Sequence, residues 1–240
     1  MSAKITSINY CPVKSVSFQS VENCKIKKNI GIIGDRIFAF AKDLDLEQAK
    51  LFEKSPAERK GKWNKVLTLK NSPALNKYNF IFKDEKLTLT FKDIEILSID
   101  INQSTEREAL SNKISELESS LKQPITLMKN DAFPFFDTSI SKKVDFVNSV
   151  SLLNFQSIND FEKKVGKKIE TSIFRGNICI DGLEPWKERE WIGKTIKINN
   201  ISFKVEKNIP RCVAINLKPK TDDNSFNLLQ LLKKNYNHFD

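Results

Sequence analysis

Histidine is nearly absent from this chain of 240 residues, which has His238 and no other. Ser-His-Asp and Cys-His catalytic sets, zinc hydrolase sites and two-His-carboxylate iron sites would all depend on that one side chain. His238 has no suitable neighbours in sequence, and we expect it to lie at the surface. The sequence therefore excludes these classes of enzyme.

Other signatures are missing as well. No G-x-G-x-x-G or Walker A pattern occurs, so no dinucleotide or ATP module is encoded. No run of about 18 apolar residues is found, and no positively charged N-terminal region precedes an apolar block. These absences predict a cytoplasmic protein without a membrane span or a secretory signal.

Cysteine is sparse and scattered, with four residues and no C-x-x-C pair. Neither a structural zinc site nor a disulfide framework is indicated, and we expect reduced thiols. Cys179 alternates with isoleucines in an apolar segment, which predicts a small buried hydrophobe. Cys11 and Cys24 stand in no special pattern.

The balance of charge is basic, with a formal net charge of +10. A basic protein favours anionic partners, including nucleic acid. Here acidic residues interrupt the lysines almost everywhere, and a general bias toward Lys, Asn and Ile explains the charge as well as a binding surface does. Nucleic acid is therefore a disfavoured partner.

Short alternating segments dominate both ends of the chain. A hairpin is expected where residues 80–82 and 87–91 flank Lys83–Lys86. The other expected strands are Ile5–Tyr10, Val21–Ile26, Ile37–Ala41, Asn177–Ile180, Thr195–Ile198, Ile201–Val205 and Val213–Leu217.

Three helices are predicted between and after these strands. Thr105 and Glu108 form a capping-box pattern ahead of an apolar stripe that ends before Pro124. A second helix is expected to start near Ser151 and to end by Gly166. A last short helix is expected over residues 226–234.

Several motifs follow one another in order, and together they resemble the MOSC domain, which occurs in molybdenum cofactor sulfurases and in stand-alone oxidoreductases. The C-terminal matches include the Cys212 segment, and the N-terminal ones resemble the β-barrel domain that precedes MOSC. The motifs are Ile5–Ile8, Pro12–Ser15, Gly34–Arg36, Phe174–Ile178, Asp181–Trp186, Trp191–Gly193 and Arg211–Ala214.

The resemblance implies a mainly β fold with a few helices (α+β). An N-terminal MOSC-associated β-barrel domain over residues 1–102 would pack on a C-terminal MOSC β-barrel over residues 103–240, with the cofactor between them. Relatives continue beyond the position of Asp240, so we expect the MOSC domain to be truncated at its C-terminus or its barrel to close differently.

Cys212 is the candidate metal ligand and catalytic residue. A lone cysteine is ordinarily a packing residue. Arg211 directly precedes this one, and a neighbouring cation favours a thiolate that can bind a soft metal. In reductases of the family, the matching cysteine supplies a thiolate to molybdenum.

The molybdenum cofactor is a pyranopterin with a phosphate or nucleotide tail, so its pocket needs cations and hydrogen-bond donors. Simpler roles remain open: a solvated Lys14, an Arg36–Asp35 ion pair, a structural Arg175, a turn-stabilising Asn177 and a helix-capping Ser151. The residues that match cofactor-binding positions of the family are Lys14, Ser15, Arg36, Ser151, Arg175, Asn177 and Arg211.

The function implied by the resemblance is a molybdenum-dependent oxidoreductase that reduces N-hydroxylated or N-oxide small molecules by two-electron oxygen-atom transfer. No iron–sulfur or flavin motif is visible, so electrons would come from a separate iron–sulfur or flavoprotein donor. Pyridoxal phosphate binding is a further family-level implication. The alternatives are a sulfur carrier that uses a Cys212 persulfide and a non-catalytic cofactor-binding protein.

Two departures from the family pattern bear on these alternatives. Ile209 stands where relatives often have a second cysteine, which disfavours a two-cysteine sulfur relay. Ile173 stands where members commonly have an arginine, which removes one cation from the cofactor edge.

Overall fold

A computed structural model describes residues 3–16, 18–121, 124–136 and 149–236; His238 lies outside them. Strands and helices alternate along most of this part of the chain. The strands are β1 (Lys4–Tyr10), β2 (Gln19–Val21), β3 (Ile26–Lys27), β4 (Gly31–Ile32), β5 (Phe38–Lys42), β6 (Tyr78–Lys83), β7 (Lys86–Phe91), β8 (Ile94–Asp100), β9 (Ile125–Lys129), β10 (Leu152–Asn154), β11 (Ile178–Asp181), β12 (Thr195–Ile198) and β13 (Ile201–Lys204). The α-helices are α1 (Leu46–Lys54), α2 (Ser104–Leu117), α3 (Phe155–Val165) and α4 (Leu228–Asn235).

A four-stranded sheet joins the two ends of the chain, in the order β10-β11-β1-β2. β1 runs antiparallel to β11, with Ile8 opposite Ile178, and β10 runs parallel to β11. The apolar residues of β11 are buried on both faces of the sheet. The Ile5–Ile8 motif is therefore hydrogen-bonded to the strand that begins at the end of the Phe174–Ile178 motif.

The predicted hairpin, β6 and β7, belongs to a three-stranded antiparallel sheet in the order β6-β7-β8, with β7 at its centre. Asp84 and Glu85 connect its first two strands, and both have positive φ, as a two-residue turn of the primed type requires. Leu87 and Leu89 alternate with threonines and pack into the largest core cluster, which also contains Leu110 and Ile114 of α2. Burying one face of this sheet under α2 fixes its register.

A third sheet pairs β5 with β9 and carries α1 on one side. Asp45 caps α1 by accepting a hydrogen bond from the Gln48 amide at 2.8 Å. Ala49 and Phe52 of this helix enter a second core cluster with the two buried alanines of β5. The apolar pattern of α1 is too short to predict this helix from the sequence.

The third core cluster lies between α3 and α4, close to the C-terminal motifs. Asn154 caps α3 by accepting from the Gln156 amide, and Gly166 ends it in a left-handed conformation (φ 66°). The Trp186 and Tyr236 rings lie 4.6 Å apart against this cluster. Both side chains also donate a hydrogen bond to Asp160.

Four local predictions were wrong. The expected strand Val21–Ile26 is not continuous, because β2 ends at Val21, residues 22–25 are irregular and β3 begins at Ile26. Residues 213–217 do not form a strand; Val213–Asn216 is a 3-10 helix whose Ile215 amide bonds back to the Cys212 carbonyl. The Thr105–Glu108 capping box is not used, because α2 begins at Ser104 and Gln103 makes no side-chain cap. Ser151 does not start a helix; β10 intervenes, and α3 begins at Phe155.

Mixed α and β structure is confirmed, whereas the described strands form sheets of two to four members and no closed barrel. The domain division after residue 102 stays a prediction. In the described ranges, no helix combines the length and the apolar composition that a membrane crossing would need.

Candidate functional site

The predicted anion-binding turn lies between β1 and β2. The Lys14 amide donates to the Phe38 carbonyl at 2.8 Å, and Ser15 has a φ of 64°. The Lys14 side chain is only 8% exposed, and its Nζ lies 5.2 Å from the centre of the Trp63 ring. A cation on the face of an indole ring is a stabilising arrangement. Lys14 is therefore a buried and oriented cation.

Arg36 stands at the start of β5, where Gly34 and Arg36 itself both have positive φ. Its guanidinium pairs with the Asp35 carboxylate. The same group lies 5.1 Å from the Phe18 ring and 4.7 Å from the Phe136 ring. The ion pair with Asp35 that the sequence allowed is thus present, and two aromatic rings hold the guanidinium in place.

Arg175 reaches the same place from the C-terminal half of the chain. It has a φ of 56°, and its Nη2 donates to the Val16 carbonyl and lies 3.7 Å from the Cys11 thiol. Its guanidinium is 4.8 Å from the Phe18 ring, which Arg36 also contacts. Two of the three arginines predicted to bind the cofactor, Arg36 and Arg175, therefore share one aromatic neighbour.

The pKa of Arg175 reflects its closeness to Arg36. Desolvation lowers the pKa of Arg175, and the positive charge of Arg36 lowers it further, while Cys11 and Asp35 oppose both effects. Two guanidiniums that repel each other beside one carboxylate leave an excess of positive charge. Such a group is suited to an anion.

Asn177 and Ser151 bind each other. The Asn177 Oδ1 accepts from both the amide and the hydroxyl of Ser151, at 3.1 and 2.8 Å, and the Asn177 amide donates to the Ser151 Oγ at 2.9 Å. Asn177 Nδ2 donates to the Asn9 carbonyl and to Asp35. Every hydrogen-bonding position of the Asn177 amide group is thereby used. Asn177 is suited to positioning its neighbours.

Asp35 and Cys11, to which no role at the cofactor was assigned from the sequence, lie at the centre of this group of residues. Asp35 is 1% exposed and accepts from the Cys11 amide, from Arg36 and from Asn177. The fully buried Cys11 thiol donates to the Val13 carbonyl and also lies within hydrogen-bond distance of the Val16 carbonyl, and burial raises its pKa. Asp35 stands inside the Gly34–Arg36 motif, but only the fold reveals its connection to Asn177.

Cys212 is exposed, whereas Cys11 and Cys179 are buried and Cys24 is intermediate. It is the residue before the 3-10 helix Val213–Asn216. Arg211 donates from Nη1 to the Phe174 carbonyl at 2.9 Å, and desolvation lowers the pKa of this guanidinium to about 10, with Cys212 opposing the shift. Since Phe174 immediately precedes Arg175, this hydrogen bond connects the cysteine segment to the pair Arg36 and Arg175, called here the arginine cluster.

The side chains present fit an anionic, thiolate-ligated cofactor. Lys14, Arg36 and Arg175 supply cations, and the Trp63 Nε1 beside Lys14 is a buried donor without a partner. Cys212 supplies an accessible thiol. Within the described ranges, no three His, Cys, Asp or Glu side chains converge to hold a metal ion by themselves. A metal would therefore depend on ligands brought by the cofactor itself.

The C-terminal part of the chain, residues 143–239, matches the family model of the MOSC domain. The expected resemblance is confirmed for that segment. Mitochondrial amidoxime reducing component 2 of Bos taurus is a relative, 27% identical over 92 residues. This match covers 38% of the chain and spans 27% of the length of the bovine protein.

Proposed function

We propose that this protein binds the molybdenum cofactor and acts as an oxidoreductase, with Cys212 as the protein ligand to the metal. The observation that carries the proposal is the accessible thiol of Cys212, tied through Arg211 and Phe174 to a cluster of cations. The MOSC match and the amidoxime-reducing relative support a function associated with this cofactor. When bound, the cofactor would supply two-electron oxygen-atom transfer.

The residues of the chain divide into three roles in this proposal. Lys14, Ser15, Arg36 and Arg175 hold the phosphate-bearing end of the cofactor. Asn177 and Ser151 position these groups by joining β11 to the segment before β10 and to Asp35. Arg211 fixes the direction of the Cys212 segment.

The proposed oxidoreductase function also suggests a class of substrate and a source of electrons. The name of the bovine relative points to amidoximes, which are N-hydroxylated small molecules. An electron-transfer protein, either an iron–sulfur protein or a flavoprotein, would deliver the two electrons. Pyridoxal phosphate binding stays a prediction of the resemblance.

The test is the molybdenum content of the protein purified from a host that makes the cofactor. Wild type, Cys212→Ala and Cys24→Ala are compared by elemental mass spectrometry. We expect near-stoichiometric molybdenum in wild type and in Cys24→Ala and its loss in Cys212→Ala, because Cys24 lies outside the arginine cluster. Retention of the metal in a folded Cys212→Ala protein would refute the assigned ligand.

Activity is measured separately, with benzamidoxime as substrate and reduced methyl viologen as a protein-free electron donor. Reduction by the molybdenum-loaded wild type supports the oxidoreductase. Tight molybdenum binding without turnover would indicate the non-catalytic alternative. A metal-free protein with one added sulfur on Cys212, seen by intact mass, would indicate the sulfur carrier.

A further inference from the structure

Arg59 is a buried cation with an unused donor. It lies at the end of the 3-10 helix Pro56–Arg59 and is 0% exposed. Its Nε donates to the Phe52 carbonyl at 2.8 Å, and its Nη1 donates to the carbonyls of Phe133 and Pro134 at 2.8 and 3.1 Å. Its Nη2 is buried and has no hydrogen-bond partner. Buried donors in native proteins are nearly always paired, so this atom indicates a missing acceptor.

Trp63 carries a second unused donor four residues later. Its Nε1 is buried and without a partner, and its ring face carries the Lys14 Nζ at 5.2 Å. Trp63 packs against the core cluster that contains Phe52 and Phe135, and the Arg59 guanidinium lies 4.0 Å from the Phe135 ring. Both unused donors therefore border the same cluster, next to a residue of the predicted cofactor site.

The charge of Arg59 is poorly compensated. Among the described residues, no carboxylate lies within ion-pair distance of it. Glu53 acts on it at longer range, but its Oε1 accepts from Arg107 and from the Lys129 amide. Desolvation lowers the pKa of Arg59 to about 10. A water molecule could accept from the unused donors, but only an anion would also offset the buried charge.

We propose that Arg59, Trp63 and Lys14 bind one phosphate-type oxyanion, which accepts from Arg59 Nη2 and Trp63 Nε1 and faces the Lys14 ammonium. The oxyanion is either free phosphate or the phosphate of a bound cofactor. Only the second source rests on the proposed function. The site extends the predicted set of cofactor-binding residues by two side chains that no family motif contains.

Titration of the cofactor-free full-length chain with inorganic phosphate at constant ionic strength tests the site. Binding is measured by calorimetry, and the melting temperature is followed in parallel with chloride as the reference anion. Phosphate should bind and raise the melting temperature, whereas chloride should not. Trp63→Phe removes the Nε1 donor and keeps a ring beneath Lys14, so the affinity for phosphate should fall about tenfold or more.

Trp191→Phe is the matched control, because Trp191 lies in the separate 3-10 helix Lys187–Trp191. It should bind phosphate as wild type does. Equal affinity of Trp63→Phe and wild type, or no phosphate binding at all, would overturn the proposal and leave a buried water as the acceptor. Arg59→Lys is a second variant and should also weaken binding if it folds.

The molybdenum content of the Trp63→Phe protein distinguishes the two sources of the anion. A loss of cofactor relative to Trp191→Phe assigns the site to the cofactor phosphate. Unchanged cofactor with weakened phosphate binding assigns it to a free oxyanion. Retention of molybdenum by Cys212→Ala would refute the proposed metal ligand. Phosphate binding by that same variant would still support the oxyanion site, so the two proposals can fail separately.

Discussion

The Asn177 Nδ2 donates a hydrogen bond to the Asp35 Oδ2 at 3.0 Å, across 142 positions of sequence. Both side chains are 1% exposed. The bond connects the start of β11 to the turn that holds Arg36. It lies beside the arginine cluster, so the two halves of the candidate site are fixed to each other through buried polar groups.

Replacing Asn177 by alanine should therefore lower stability strongly. The change leaves the buried Asp35 carboxylate and the Ser151 hydroxyl with unpaired hydrogen-bonding capacity, and we expect a loss of about 2–4 kcal/mol in the free energy of unfolding. Urea denaturation measures it. Asn159→Ala is the control, because Asn159 is half-buried and its side chain makes one long bond at 3.4 Å. Similar losses in both variants would contradict the role given to Asn177.

Accessibility should separate the Cys212 thiol from the buried thiols of Cys11 and Cys179. Cys212 is exposed, whereas burial raises the pKa of Cys11 and Cys179, which makes them poor nucleophiles as well as inaccessible ones. We expect iodoacetamide to label Cys212 first in the native protein and Cys11 and Cys179 only after unfolding. Peptide mapping by mass spectrometry follows the order. Early labelling of Cys11 would show that the region around Arg175 opens.

Gly176 should not tolerate a side chain. A Cβ at this position would overlap the Cγ and Cδ1 of Leu153, a buried residue of the neighbouring strand β10. Gly176→Ala should cost about 1–3 kcal/mol of stability through overpacking.

The double variant Gly176→Ala/Leu153→Ala tests the cause of that loss. Removing the Leu153 side chain makes room for the new methyl group, so the two losses should sum to more than the loss of the double variant. Thermal and urea unfolding of the four proteins give the coupling. Additive losses would show that the overlap is not what destabilises Gly176→Ala.

Stability should depend on pH through Asp160. Desolvation raises the pKa of this carboxyl, but hydrogen bonds from Tyr236 and Trp186 and the charge of Lys164 outweigh it, so the pKa in the folded state lies below its ordinary value. The unfolded state then binds more protons in acid. The stabilisation is complete above the ordinary carboxyl pKa of about 4 and is lost as the pH falls through the lowered value.

Tyr236→Phe removes one of the donors to Asp160 and keeps the ring against Trp186 and Lys164. We expect a loss of about 1 kcal/mol near pH 7 that shrinks below pH 4, measured by urea unfolding at several pH values. A loss that stays constant from pH 7 to pH 3 would assign the effect to packing.

Local patterns in the sequence predicted much of the secondary structure. The hairpin around Asp84 and Glu85, strand β12 and the end of α3 at Gly166 follow from alternation and turn chemistry, which are short-range properties. The segment after Cys212 was misread because buried Ile215 and Leu217 alternate as in a strand. Whether such a segment pairs depends on a partner elsewhere in the fold, which no local pattern contains.

The candidate site was predictable only where a motif marks it. Arg36, Arg175 and Cys212 stand in motifs, whereas Cys11, Arg59 and Trp63 stand in none. Their roles come from burial and from contacts across the chain, such as Arg175 with Cys11 over 164 positions. The sequence offered Ser151 as a cofactor-binding residue, with helix capping as the simpler alternative, and its partner Asn177, 26 residues away, was not foreseen.

The pairing of β1 with β11 has a consequence for synthesis of the protein. The ribosome releases β1 first, and its partner β11 follows only after about 170 more residues, so the nascent strand has an open edge for many seconds at ordinary translation rates. The hairpin β6-β7 and its neighbour β8 can pair during that time, because their contacts are local. The arginine cluster is therefore one of the last parts of the protein to assemble, after both halves have left the ribosome.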